Sequence, residues 1–234
     1  MTKAELIPND IRFDGMPLIT GFHGIGATGY GVVKYLVNEL KPERVAFLDT
    51  DAMTPVATTN GDNIVTPFEI YKTKDIAILK AEVSPSRGDE IAFLRDVCRI
   101  IIANGFSELS LVGGLDSSLK MDDSTFRYVK TTPFQPRGLL KDAKVMEDEM
   151  IIVGPVALML SYMEIRNFPA FAILPYAAPT RVDPRASVDA LRVLSKLYSL
   201  DLDVTPLIKI AEEIESQNVP GETGIPRGMD SIYT

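Results

Sequence analysis

The sequence has no tryptophan, one histidine (His23) and one cysteine (Cys98) in 234 residues. A lone cysteine cannot close a disulfide within the chain, and no Cys/His spacing suits a zinc site. A single histidine also removes several hydrolytic constellations, and "GGLDSS" at Gly113–Ser118 lacks the frame of a G-x-S-x-G nucleophile elbow. Positive charge is scarce: 24 Lys and Arg stand against 32 Asp and Glu, a formal net charge of −8. No Lys/Arg cluster supplies the basic footprint of a nucleic-acid binder, and the sign is wrong for an anionic membrane surface. Long apolar runs are missing too. The longest, Met150–Met163, is interrupted by Gly154 and Pro155 and is too short to cross a bilayer comfortably. The start, "MTKAELIPNDIRFDG", has neither the basic nor the apolar region of a secretory signal. These absences, with 46% hydrophobic and 24% charged residues, describe a cytoplasmic globular protein.

What is present reads as alternating strands and helices. "PLITGF" (Pro17–Phe22) and "RVAFLDTD" are apolar strand runs, and a helix is predicted between them over Thr28–Leu40. Between Met53 and Val83 the pattern changes. "NGDN" signals a turn, with "IVTPFEIY" and "DIAILKAEV" as flanking strands of an antiparallel excursion. "SPSRGDEIAFLRDVCRIIIANG" is the clearest helix, with Ser84 or Ser86 as cap and Gly105 as stop. Ile91, Leu94, Cys98 and Ile101 form its apolar stripe, which makes Cys98 a core residue. "ELSLVGG", "FRYVKTT" and "PAFAILPYA" are further strands, residues 130–149 a surface excursion, and the run after Ile151 a turn followed by a helix. Two helices close the domain. Asp183 caps the first, with Pro184 as its first residue and Leu191, Leu194 and Tyr198 as its stripe. Asp203 or Thr205 caps the second, with Leu207, Ile210 or Ala211, and Ile214 as its stripe. The expected architecture is a single α/β domain over residues 1–215, built on a mixed, mostly parallel sheet flanked by helices. A flexible tail follows over 216–234, with an r.m.s. reach of roughly 20–25 Å.

"GIGATG" matches G-x-G-x-x-G at Gly24, Gly26 and Gly29, between an apparent strand and an apparent helix, with Asp49 about twenty residues on. One reading is a nucleotide- or NAD-binding enzyme. The glycines would admit a pyrophosphate to the helix N-terminus and Asp49 would take the ribose hydroxyls. The other reading is a tight strand-to-helix turn whose glycines serve close packing, with Asp49 merely ending its strand. The antiparallel excursion after Asp51 and the position of His23 inside the loop count against a cofactor. No cofactor and no metal are therefore expected, and no catalytic residue is assigned.

The order of "PLITGFHGIGATGYGVVKYLVNEL", "DIAILKAEVSPS", "ELSLVGG", "IIVGPVALMLSYM" and "VDPRASVDALRVLSKLYSLDLDVTPL" resembles the proteasome assembly chaperone family in its archaeal and bacterial branch. That resemblance implies a nucleoside-phosphorylase-like α/β fold without established catalysis, and self-association into a homo-oligomer, trimer to pentamer. Archaeal members similar to this chain end in a hydrophobic–tyrosine–any residue (HbYX) triplet that docks between α-subunits of the proteasome core particle. Ile232, Tyr233 and Thr234 match it. The chemistry is reasonable: a free carboxylate selects for chain ends, Tyr233 offers rigid contact area with a hydroxyl handle, and Ile232 fills an apolar slot. The implied role is a non-enzymatic assembly chaperone or proteasome activator.

Overall fold

The computed structural model describes residues 4–84 and 88–217. The expected cap Ser86, the tail from Asn218 and the terminal triplet Ile232–Thr234 lie outside the described residues. In chain order the strands are β1 (Ala4–Ile7), β2 (Pro17–Gly21), β3 (Glu43–Thr50), β4 (Thr58–Asn60), β5 (Asn63–Val65), β6 (Phe68–Lys72), β7 (Ala77–Ala81), β8 (Glu108–Val112), β9 (Leu115–Asp116), β10 (Phe126–Lys130) and β11 (Ala170–Ala177). The helices are α1 (Thr28–Leu40), α2 (Glu90–Ala103), α3 (Gly154–Ile165), α4 (Pro184–Tyr198) and α5 (Thr205–Gln217).

One mixed sheet runs in the order β1-β3-β6-β7-β2-β8-β11-β10, with β9 continuing beside the end of β11. Its centre, β7-β2-β8-β11, is parallel, and the flanking pairs are antiparallel. The central strands are buried along nearly their whole length because helices cover both faces, and they are mostly apolar, with Thr20, Lys80, Glu108 and Ser110 as their buried polar residues. Leu18 of β2 faces α2 and α3, and the next residue, Ile19, faces α1, α4 and α5. Both are fully buried. β4 and β5 form a separate small hairpin around Gly61, so the "NGDN" turn joins these short strands, and β6 and β7 make the antiparallel pair beside it. Outside β10, the Tyr128 N–H donates to the Lys144 carbonyl at 3.2 Å and the Met146 N–H to the Tyr128 carbonyl at 2.9 Å. Residues 144–146 thus lie along the outer margin of the sheet.

Several local expectations are corrected. Helix α2 begins at Glu90 after Asp89, and the Ser84 carbonyl instead accepts a hydrogen bond from the Thr54 hydroxyl. Ile91 is exposed. The buried face of α2 is Phe93, Leu94, Val97, Cys98 and Ile101, and burial pushes the Cys98 thiol up to about 12. Residues 130–149 are not wholly superficial, because Phe134 and Leu140 are buried, with Phe134 packed on Phe171 at 4.5 Å between ring centroids. The helix starts hold as expected. Asp183 Oδ1 accepts the Ala186 N–H at 3.2 Å, and Asp203 Oδ1 accepts the Thr205 N–H at 2.9 Å. The stripe of α4 ends on Tyr198, whose hydroxyl donates to Glu108 Oε1 at 2.5 Å beneath β8.

Candidate functional site

In open α/β sheets, the crevice outside the carboxyl ends of the parallel strands is where ligands usually bind. Here that rim holds the glycine loop after β2, Glu82 after β7, Gly113–Gly114 after β8, and the segment from Ala177 to Asp183 after β11.

The loop is filled by protein. A Cβ on Gly29 would lie 2.4 Å from the Val112 carbonyl oxygen and 2.8 Å from the Phe22 backbone. One on Gly21 would lie 2.5 Å from the Gly29 carbonyl oxygen. The first turn of α1 therefore rests directly on the ends of β2 and β8. Gly26, at φ +64°, has Ala177 Cβ 2.8 Å from the place its own Cβ would take, and its carbonyl accepts the Asp183 N–H at 2.9 Å. Asp183 Oδ2 also accepts the Ala178 N–H at 2.8 Å, so Asp183 joins both the glycine loop and the end of β11 to the start of α4. Two backbone donors of the turn are spent internally: Ala27 N–H on the Gly24 carbonyl and Tyr30 N–H on the Phe22 carbonyl. Only Gly24 faces open space. Asp49 is exposed on β3, and β6 and β7 lie between β3 and β2. Three strand spacings put it about 14 Å from the loop. The structure brings Gly24, Gly26 and Gly29 together but leaves Asp49 apart from them.

Beside the loop is a polar row of which the sequence pointed only to His23. The Tyr30 hydroxyl donates to Glu82 Oε1 at 3.0 Å, and Lys80 Nζ lies 2.6 Å from Glu82 Oε2. The His23 ring stacks on Tyr30 with centroids 4.0 Å apart, and Lys34 Nζ stands 5.5 Å from the Tyr30 ring centroid. Desolvation holds the His23 imidazole below its usual range against the pull of Glu82, and Lys34 pushes it the same way. One strand further out, Glu69 accepts from Arg44 at 2.8 Å, from the Thr66 N–H at 2.9 Å and from the Tyr71 hydroxyl. The signal for this row was the alternation Lys80-Ala81-Glu82 across the end of β7, which shows in the sequence without showing that these side chains are buried. The row is a chain of paired charges. Among the described residues no group of three or more His, Cys, Asp or Glu is placed to hold a metal ion. No described helix is long and apolar enough to cross a membrane.

The last described element returns to the same rim. Arg185, in the first turn of α4, forks onto Glu215 near the end of α5, with Nε–Oε1 at 3.1 Å and Nη2–Oε2 at 2.9 Å. The terminal candidates Ile232, Tyr233 and Thr234 belong to the chain beyond this point, outside the described residues.

A Methanocaldococcus jannaschii protein of uncharacterized function is 23% identical over 218 residues, covering 88% of this chain and 85% of the relative. Pyrococcus furiosus PbaA, described as an archaeal homolog of proteasome-assembly chaperone, superposes with a TM-score of 0.75 at 18% identity over 92% of this chain and 94% of its own. P. furiosus PbaB, described as an archaeal proteasome activator, gives 0.68 at 20% identity, over 92% and 96%. The sequence pattern of the PAC2 family matches residues 18–218, a span from the second residue of β2 to just past α5. The chain belongs to the PAC2 family.

Proposed function

We propose that this protein is a non-enzymatic, homo-oligomeric, cytoplasmic adaptor of the proteasome, an assembly chaperone or activator. Its C-terminal Ile232, Tyr233 and Thr234 dock into pockets between α-subunits of the core particle. The observation that carries this reading is the pairing of PAC2 family membership with an apolar–Tyr–X triplet at the C-terminus. The names of PbaA and PbaB agree with it. In this reading the folded body ends with α5 at Gln217, two residues past the boundary of 215 expected from the sequence, and the chain beyond it serves as a leash. A lysine in the receiving pocket pairs with the terminal carboxylate, Tyr233 supplies aromatic contact and Ile232 fills an apolar slot. One tripeptide binds weakly because the tail must be ordered, and several tails on one oligomer raise avidity by about 10²–10⁴. The glycine loop then serves to seat α1 on the sheet rather than to hold a nucleotide.

The test compares full-length protein with a version lacking Ile232–Thr234, in pull-down of core particle and in peptidase stimulation. Truncation is expected to abolish both while leaving the sedimentation coefficient of the oligomer unchanged. One residue appended after Thr234 displaces the carboxylate and is expected to impair both. Undiminished stimulation by the truncated protein overturns the docking role.

A further inference from the structure

The net charge of −8 makes copies of this chain repel one another at long range, and a local contact of opposite signs offsets that repulsion. The fold supplies both halves of such a contact on opposite sides of the sheet. At the start of β3 and the end of β6 is an open recess of about 500 Å³. Lys41, Lys72 and Lys74 line it together with the apolar Leu40, Pro42 and Val45, and Glu43 is its one acid. None of the ion pairs among the described residues uses any of the three lysines. Outside β10, residues 147–150 form a turn, with the Met150 N–H reaching the Glu147 carbonyl at 3.4 Å. Glu149 at the turn has φ +66°. Asp148 and Glu149 are exposed at its tip, whereas Glu147 points back to Arg127 at 2.7 Å. Flanking the tip, Val145, Ile151 and Val153 are 58%, 83% and 78% exposed, an apolar collar that nothing in the chain covers among the described residues.

Six strand spacings separate β10 from β3, about 29 Å, so the tip of one copy cannot reach its own recess. We infer that the acidic turn of one copy docks into the lysine recess of the next, a head-to-tail contact that builds the oligomer. Asp148 and Glu149 meet Lys41, Lys72 and Lys74, and the collar of Val145, Ile151 and Val153 packs on the apolar wall of the neighbour's recess. Each copy gives its turn to one neighbour and its recess to another, so the contact repeats around an axis and closes when the rotation allows. This inference rests on the oligomeric adaptor proposed above and names the surface through which it assembles.

Charge reversal at exposed positions tests it by sedimentation velocity. Lys41→Glu with Lys74→Glu is expected to reduce the wild-type oligomer, larger than a dimer, to single chains. Asp148→Lys with Glu149→Lys is expected to do the same. The fourfold variant carrying both swaps restores opposite signs and is expected to return to the wild-type mass. That rescue separates a lost interface from a damaged fold. With the tail intact, each doubly substituted variant is also expected to lose core-particle binding by about 100-fold or more through lost avidity. Wild-type protein that sediments as a monomer or dimer overturns the inference, as do doubly substituted variants of unchanged mass or a fourfold variant that stays dissociated. Variants that keep their mass but fail to bind core particle would assign the surface to the protease instead, and so also overturn it. Failure of the docking role is read separately, from the tail truncation.

Discussion

His23 is the chain's only histidine, so its titration can be followed without overlap. Burial against Tyr30 disfavours the imidazolium, and Lys34 adds to that effect. Its midpoint in the folded protein is therefore expected below 6.5, moving to about 6.5 in urea. The sign follows: a base depressed by folding contributes full stability above its unfolded pKa, and that contribution is lost as pH falls through 6.5 toward the folded midpoint. A proton NMR titration with a native midpoint above 6.5 would refute this account. Arg127 is the opposite case, a cation 1% exposed and held by Glu147 at 2.7 Å and Asp122 at 2.9 Å. Arg127→Met removes the partner shared by two partly exposed carboxylates, of which Asp122 keeps Lys144, and a lowered urea midpoint is expected. Both carboxyls are held below their ordinary values, Asp122 chiefly by Lys144 and Glu147 chiefly by Arg127. Their contribution is present above the ordinary carboxylate range and is lost as pH falls below it. In the sequence, Arg127 was simply the second residue of a strand, and nothing in "FRYVKTT" told that its guanidinium would be buried.

Among the elements, α1 gives the sharpest contrast. Gly29→Ala places a methyl group 2.4 Å from the Val112 oxygen, which no side-chain adjustment relieves. A loss of about 3 kcal/mol or more is expected in its thermal or urea unfolding. Gly24→Ala meets nothing within 4 Å at an extended φ of −168° and is expected to stay within about 0.5 kcal/mol of wild type. Equal tolerance at both positions would contradict the packing role of the loop. The bounds of α1 and the Asp-Pro start of α4 were legible because caps and apolar periodicity are local properties. β1 was not. "AELI" is four residues with one buried side chain, and it becomes a strand only because β3 offers it a partner. The misread of α2 has a similar cause: Ile91 fits the helical period, yet the buried stripe of α2 is centred on Phe93 and Val97, and Ile91 falls outside it.

For the whole molecule, the consequence is a core on two sides of one sheet. Leu18→Ala and Ile19→Ala, adjacent in β2, empty space in opposite layers, and each is expected to cost about 3 kcal/mol. Ile64→Ala, 62% exposed in the β4–β5 hairpin, is expected to cost almost nothing. Chemical denaturation of the three variants checks the layering, and a large difference between the two β2 variants would count against it. The α/β class and most strands were readable from composition and period. Strand order was not, because periodicity reports which face a residue takes and not which neighbour a strand chooses. The distance of Asp49 from the glycine loop follows from that choice: β3 crosses to the far side of β6 and β7, and the dinucleotide spacing survives in sequence but not in space.

The strip 144–146 engages Tyr128 on the outer margin of the sheet, and at the opposite margin β1 is only four residues long. Among the described residues neither border presents a long row of vacant main-chain donors and acceptors, which is what templates amyloid-like stacking. Copies of this chain that meet edge to edge therefore offer one another side chains rather than free backbone, which disfavours growth into irreversible fibres.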